Sequence, residues 1–152
     1  MRTRIVLRLM VLVVGSSPLV VGAQPAPRPI DLSKYPPAVR ATIERETTNA
    51  TLRKVSKETE KGKTLYEVET TVGQRTRDLL IDSSGAIVEV EEEIALEAAP
   101  AVVRDAAERR GKVLKIEQVT RDGVTSYEVE VQSKTGKKSE VTFDAQGKPG
   151  KG

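Results

Sequence analysis

The chain has 152 residues, with 25 basic and 22 acidic side chains, no cysteine, no histidine, and only three tyrosines and one phenylalanine as aromatics. That inventory excludes disulfides, serine–histidine and thiol catalysis, and zinc sites built on His or Cys. The high calculated pI of about 9.2 owes much to Arg2, Arg4 and Arg8; setting these aside leaves 22 basic against 22 acidic residues, a balance that argues against nucleic acid as a partner, because phosphate binding needs a standing excess of Lys and Arg.

The first 23 residues have the layout of a secretory signal. Three arginines lead an apolar run, Leu9 to Val21, and Val21-Gly22-Ala23 places small residues at the cleavage point. The run is too short for a comfortable transmembrane helix, so no stable membrane span is expected after cleavage, and the destination is periplasmic or secreted. An uncleaved N-terminal anchor is the alternative. Residues 24–31 begin with three prolines in six residues and read as a disordered, extended lead.

From Pro36 to about Glu46 a helix is expected, with proline in its first turn, Val39 and Ile43 on one face, and Arg40 paired with Glu44. Four strands follow: Thr51 to Glu60; Thr64 to Val72, where Tyr66, Val68 and Thr70 alternate with Leu65, Glu67 and Glu69; Arg75 to Ile81; and Ala86 to Glu93. Lys61-Gly62-Lys63, Gly73 and Asp82-Ser83-Ser84-Gly85 are the turns.

The pattern then restarts. Leu96, Pro100, Val103, Arg104 and Glu108 repeat Leu32, Pro36, Val39, Arg40 and Glu44 at a spacing of 64, so a second helix is expected from Pro100 to about Arg110, closed by Gly111. Ile116, Gly123 and Tyr127 repeat Val55, Gly62 and Tyr66 at 61, while Val141, Asp144 and Gly147 repeat Leu79, Asp82 and Gly85 at 62. The register holds through strands and shifts at turns, as a structural duplication would leave it. The expected fold class is α+β: two tandem repeats, residues 32–94 and 95–147, each a helix plus three or four antiparallel strands, with the helices packed on one sheet face and residues 148–152 as a flexible tail. The two units can join edge to edge into one sheet.

No arrangement here supplies a catalytic residue, a cofactor site or a metal site. Glu89-Val90-Glu91-Glu92-Glu93 reads as the wet side of a strand running into a linker; a calcium or cationic-partner site is the alternative, but no oxygen-ligand loop of the EF-hand kind surrounds it. The pairs Glu67/Glu69 and Glu128/Glu130 lie on an open strand face, where nothing shifts a pKa toward acid–base work. The turns at Asp82 and Asp144 lack the further carboxylates of a calcium loop. Tyr66 and Tyr127 share a face with Val68 and Val129 and belong to the core.

Three pieces of the first half resemble the PepSY-like family: Leu32-x-x-x-Pro36-x-x-Val39-Arg40, Gly62-Lys63-x-x-Tyr66-Glu67-Val68, and Asp82-x-x-Gly85-x-Ile87 with its acidic continuation. The second half is similar more closely, through Tyr127-Glu128-Val129-Glu130 and Val141-x-Phe143-Asp144-x-x-Gly147. The resemblance implies the layout of the beta-lactamase-inhibitor-like tandem fold, export, and no catalysis. It implies an envelope or secreted protein as partner, a peptidase among the candidates. The chain departs from the inhibitor proteins in having no disulfide cysteines and no aromatic-rich binding face, so beta-lactamase inhibition itself is not implied. The expected function is an exported non-enzymatic binding module of the cell envelope, with small-ligand or divalent-cation binding as the alternative.

Overall fold

The computed structural model describes residues 29–150; the expected signal segment, the lead as far as residue 28, and the last two residues lie outside the described residues. Residues 30–150 form one compact unit. Its elements in chain order are α1 (Pro37–Glu46), β1 (Thr51–Glu60), β2 (Lys63–Val72), β3 (Arg75–Asp82), β4 (Ile87–Glu93), a short 3₁₀ turn (Leu96–Ala98), α2 (Ala101–Glu108), β5 (Lys112–Arg121), β6 (Val124–Gln132) and β7 (Lys138–Asp144). The strands make a single antiparallel sheet in the order β1 to β7. The α+β class is as expected, and β4 pairs with β5 from Glu89–Arg121 to Glu93–Glu117.

Both helices cover the same sheet face. Val39 and Ile43 of α1 pack on Tyr66, Val68, Leu79 and Ile81, while Val103, Ala106 and Ala107 of α2 pack on Ile116, Tyr127, Val129, Val131 and Phe143. The cross-strand pairs Val68–Leu79, Leu79–Val90, Val90–Thr120 and Ile116–Val129 keep these residues on one side. With no tryptophan, the largest pieces are tyrosines, and Tyr66 is met edge-on by Tyr35 at 5.9 Å between ring centroids.

The halves share local detail. β1 and β5 each carry a register shift two residues into the strand, between Leu52 and Lys54 and between Val113 and Lys115. The β1–β2 and β5–β6 turns each use two residues at positive φ, Lys61-Gly62 and Asp122-Gly123, the twist-matched hairpin geometry. After β3 and β7, Gly85 and Gly147 sit at φ +85° and +74°, and an added Cβ would lie 2.7 Å from the Ala38 carbonyl oxygen and 2.5 Å from that of Val102. Glycine is required here both by the backbone angle and by the approach of the turn to the first turn of a helix. The carboxylate of Asp82 accepts hydrogen bonds from the Ser84 and Ala86 amides, and that of Asp144 from the Gln146 and Lys148 amides.

Four expectations are corrected. The helices are shorter than expected: Pro36 and Pro100 stand just before them in extended conformation, and α2 ends at Glu108; at Pro36 the ring of Pro37 disfavours helical backbone in the residue before it. The Arg40–Glu44 pair does not form among the ion pairs of the described residues; Arg77 of β3 instead reaches Glu46 at 3.1 Å and Glu92 at 2.9 Å. The segment Lys148–Gly150 is not frayed. Pro149 bridges to Phe143 and the Gly150 amide donates to the Thr142 carbonyl, because the Asp144 turn folds the chain back onto the outer edge of β7. Finally, Leu65, expected among the solvated residues, is buried; the reason is the curvature of the sheet.

Candidate functional site

The face of the sheet away from the helices is the candidate site. Strand alternation puts Glu67, Glu69, Glu89, Glu91, Glu93, Glu128 and Glu130 there, and the ladders align them with Asp78, Glu117 and Glu140. One row across the sheet runs Lys54, Glu69, Asp78, Glu91, Val119, Ser126, and the adjacent row runs Ser56, Glu67, Leu80, Glu89, Arg121, Val124.

The sheet curls around this face. Arg121, at the end of β5, lies 3.2 Å from its cross-strand neighbour Glu89 on β4, and its other terminal nitrogen donates to Glu60 at the end of β1. Three strands separate β1 from β5. In a flat sheet four steps at about 4.8 Å would hold them about 19 Å apart, so the contact forms only because twist and coiling bring the corner of the β1–β2 hairpin over the face. Inside the curl Leu65 and Val119 are each 5% exposed and Asp78 is 6% exposed. The open face is therefore solvated at its rim and enclosed at its middle.

The carboxylates divide by surroundings. Most have partners: Lys54 with Glu69 at 2.8 Å, Lys115 with Glu117 at 2.7 Å, Lys138 with Glu130 at 3.0 Å. The Ser56 hydroxyl donates to Glu67, and the Thr76 amide and hydroxyl to Glu93. Asp78 accepts from the Thr70 amide at 3.3 Å. Hydrogen bonding from Arg121 holds Glu60 below the usual carboxylate range. Burial pushes Glu89 upward despite Arg121. Glu91 stands apart: burial, reinforced by Glu128, Glu89, Glu117 and Asp78, pushes it up to about 8. Its cross-strand partner on β5 is Val119, and it has no hydrogen bond or ion pair among the described residues.

The run Glu89–Glu93 thus splits in two. Glu89, Glu91 and Glu93 lie on the open face, and Glu92 turns to the helix side to meet Arg77. Glu67/Glu69 and Glu128/Glu130 flank the enclosed middle without converging. No group of three or more His, Cys, Asp or Glu among the described residues is arranged to hold a metal ion. Tyr66 and Tyr127 are core residues, 7% and 6% exposed. Sequence reasoning missed Asp78, Glu117, Val119 and Arg121. A signal was present: Val119 stands at the parity of Glu117 and Arg121, an apolar residue on a strand's polar side.

Residues 92–146 match the model of the PepSY family, described as peptidase propeptide and YPEB domain. No curated protein matches the chain in sequence. Among solved structures, a protein from Bacteroides eggerthii described as periplasmic superposes with a TM-score of 0.61 at 14% identity, over 77% of this chain and 86% of the other. A DUF2874 family protein from Bacteroides uniformis does so with 0.60 at 16%, over 76% and 86%. A BLIP-like protein from Bacteroides fragilis gives 0.52 at 18%, over 75% and 82%. The likeness extends over about three quarters of this chain and more than four fifths of each of the others, and is one of fold.

Proposed function

We propose that this PepSY-like chain is an exported, non-enzymatic module that binds another protein of the cell envelope or its surroundings through the open face of its sheet, with a peptidase as the partner class the family model suggests. The observation that carries the reading is the open face itself: neither helix covers it, it is curled and held by the Arg121 contacts, and it offers no histidine or cysteine for Ser–His or thiol chemistry. The layout of residues 1–23 supports export to the periplasm or beyond. We further read residues 32–94 and 95–147 as two copies of one unit; the recurring register shift, hairpin turn and helix-abutting glycine support it.

The test is affinity capture from envelope extract with immobilised protein beginning at Gln24. A protein displaced by the free module is expected, and if it is a peptidase its turnover should change on adding the module. Recovery of nothing specific across salt conditions would remove the reading. Mass spectrometry of the mature N-terminus checks the expected cleavage after Ala23.

A further inference from the structure

Beyond the open face, we propose that the outer edge of β7 is a second interaction surface: it takes up an extended segment of a protein partner as an added antiparallel strand when the strap formed by residues 148–150 peels away. The chain already carries such a strand in miniature. The Asp144 amide donates to the Lys148 carbonyl, and the Gly150 amide donates to the Thr142 carbonyl. These two bonds flank the bridge between Phe143 and Pro149, which is the pattern of one rung of an antiparallel ladder. Pro149 stands at the non-hydrogen-bonded position of that rung, where its missing N–H is not needed. The strap residues are exposed, and the rung lies at one end of β7. The strand itself runs back to Lys138 and is the last of the sheet.

The edge specifies what fits it. The strap uses the outward Asp144 amide and Thr142 carbonyl, so strand alternation turns the backbone groups of Glu140 and Lys138 outward as well. The β6–β7 register runs without a shift from Ser126–Asp144 to Gln132–Lys138, whereas β1, at the opposite edge, is irregular between Leu52 and Lys54. A regular, unbroken edge is a template for strand addition. Beneath the strap, Thr142 Oγ1 is buried and has no hydrogen-bond partner; a threonine opposite it on an added strand supplies one. On the helix side Val141 packs, half-buried, against the cluster under α2 and takes an apolar neighbour. On the other side Glu140 and Lys138 take a basic and an acidic one. The fitting segment is therefore short, extended, alternating in polarity and of mixed charge. A second copy of this chain fits less well, because a two-fold pairing of β7 edges that includes Thr142 has to displace two straps at once.

The experiment follows amide chemical shifts of the protein from Gln24 onward, titrated with the capped peptide Ser-Thr-Val-Lys-Thr-Glu-Ser, whose central residues match positions 142 to 138 in antiparallel order. The expected result is perturbation along β7 and at residues 148–150. N-methylation of the peptide lysine, whose N–H faces β7 opposite Glu140, should abolish binding; N-methylation of the valine, whose N–H points away, should not. Gly150→Pro removes the strap's donor to Thr142 and should tighten binding about fivefold, the worth of one exposed hydrogen bond. Glu140→Pro closes the edge and spares the ladder to β6, so it should not bind; circular dichroism checks its fold, and the N-methylated peptides make the same test on the unaltered protein. Perturbation centred on β2 to β4, equal binding of the two N-methylated peptides, no binding to Gly150→Pro, or self-association of Gly150→Pro that the peptide does not displace would overturn the proposal. None of these outcomes bears on the open face, whose test is the capture experiment.

Discussion

At Glu91, burial and like charge act in the same direction, and the consequence is a stability that depends on pH. The folded carboxyl titrates at about 8, the unfolded one near 4.5. The folded state therefore binds the extra proton between those values, and stability is fully present below the unfolded value and lost as pH rises through the folded one. Taken whole, the shift would correspond to about 5 kcal/mol at 1.36 kcal/mol per unit, and partial solvent access reduces it to on the order of 2 kcal/mol. Glu91→Gln should accordingly be more stable than the unaltered protein at pH 9 by about that amount, with the difference vanishing near pH 4.5; urea unfolding at the two pH values measures it. Glu60 has the opposite sign. Its carboxylate is held low by hydrogen bonding to Arg121, so its contribution is present above pH 4.5 and is lost in acid. Arg121→Gln should cost about 1 kcal/mol at pH 7, less in acid, and hydrogen exchange should quicken selectively at the β1–β2 hairpin tip.

At the level of elements, the turns after β3 and β7 are fixed by contact with the helices. Gly85→Ala and Gly147→Ala each combine a left-handed backbone with a Cβ under 3 Å from a helix carbonyl, and each should destabilise by about 2–4 kcal/mol. Gly62→Ala, also at positive φ but with nothing within 4 Å of the added atom, should cost about 1 kcal/mol. Thermal melts of the three variants separate strain from collision. These elements were legible in the sequence because their signals are local: Asp and Gly at turn positions, proline before helices, and a period of two in the strands. The core tyrosines followed from that period as well. What was not legible depends on distance between strands. Leu65 reads as solvated on its own strand and is buried only because the sheet coils; Arg121 and Glu60 meet across a corner that no local pattern encodes. The Arg77–Glu46 pair likewise joins a strand to a helix across the fold, beyond the reach of any spacing within the helix.

Across the whole molecule, the two edges of the sheet are handled differently. At β1 the Tyr35 hydroxyl donates to the Val55 carbonyl, and Arg53, Lys54 and Lys57 line an irregular strand, which discourages further pairing. At β7 the work is done by the turn-back of Lys148–Gly150. Removing residues 148–152 should uncover backbone groups at Thr142 and Phe143, and multi-angle light scattering should then show concentration-dependent association absent from the full chain. Persistence of the same species would show that the tail does not guard the edge. The open face was legible as an acidic strand surface, and its enclosed middle was not, because enclosure belongs to curvature shared by five strands.

The pairing of β4 with β5 has one more implication. Each side of it has its own helix and its own apolar cluster, and the connection across it is the short stretch from Ile94 to Pro100. Two molecules could trade their C-terminal portions and rebuild every ladder with the neighbour's strand in place of their own. Refolding at high concentration is the condition under which such intertwined pairs would accumulate, since a short connection favours exchange and no chemical difference separates a chain's own β5 from another's.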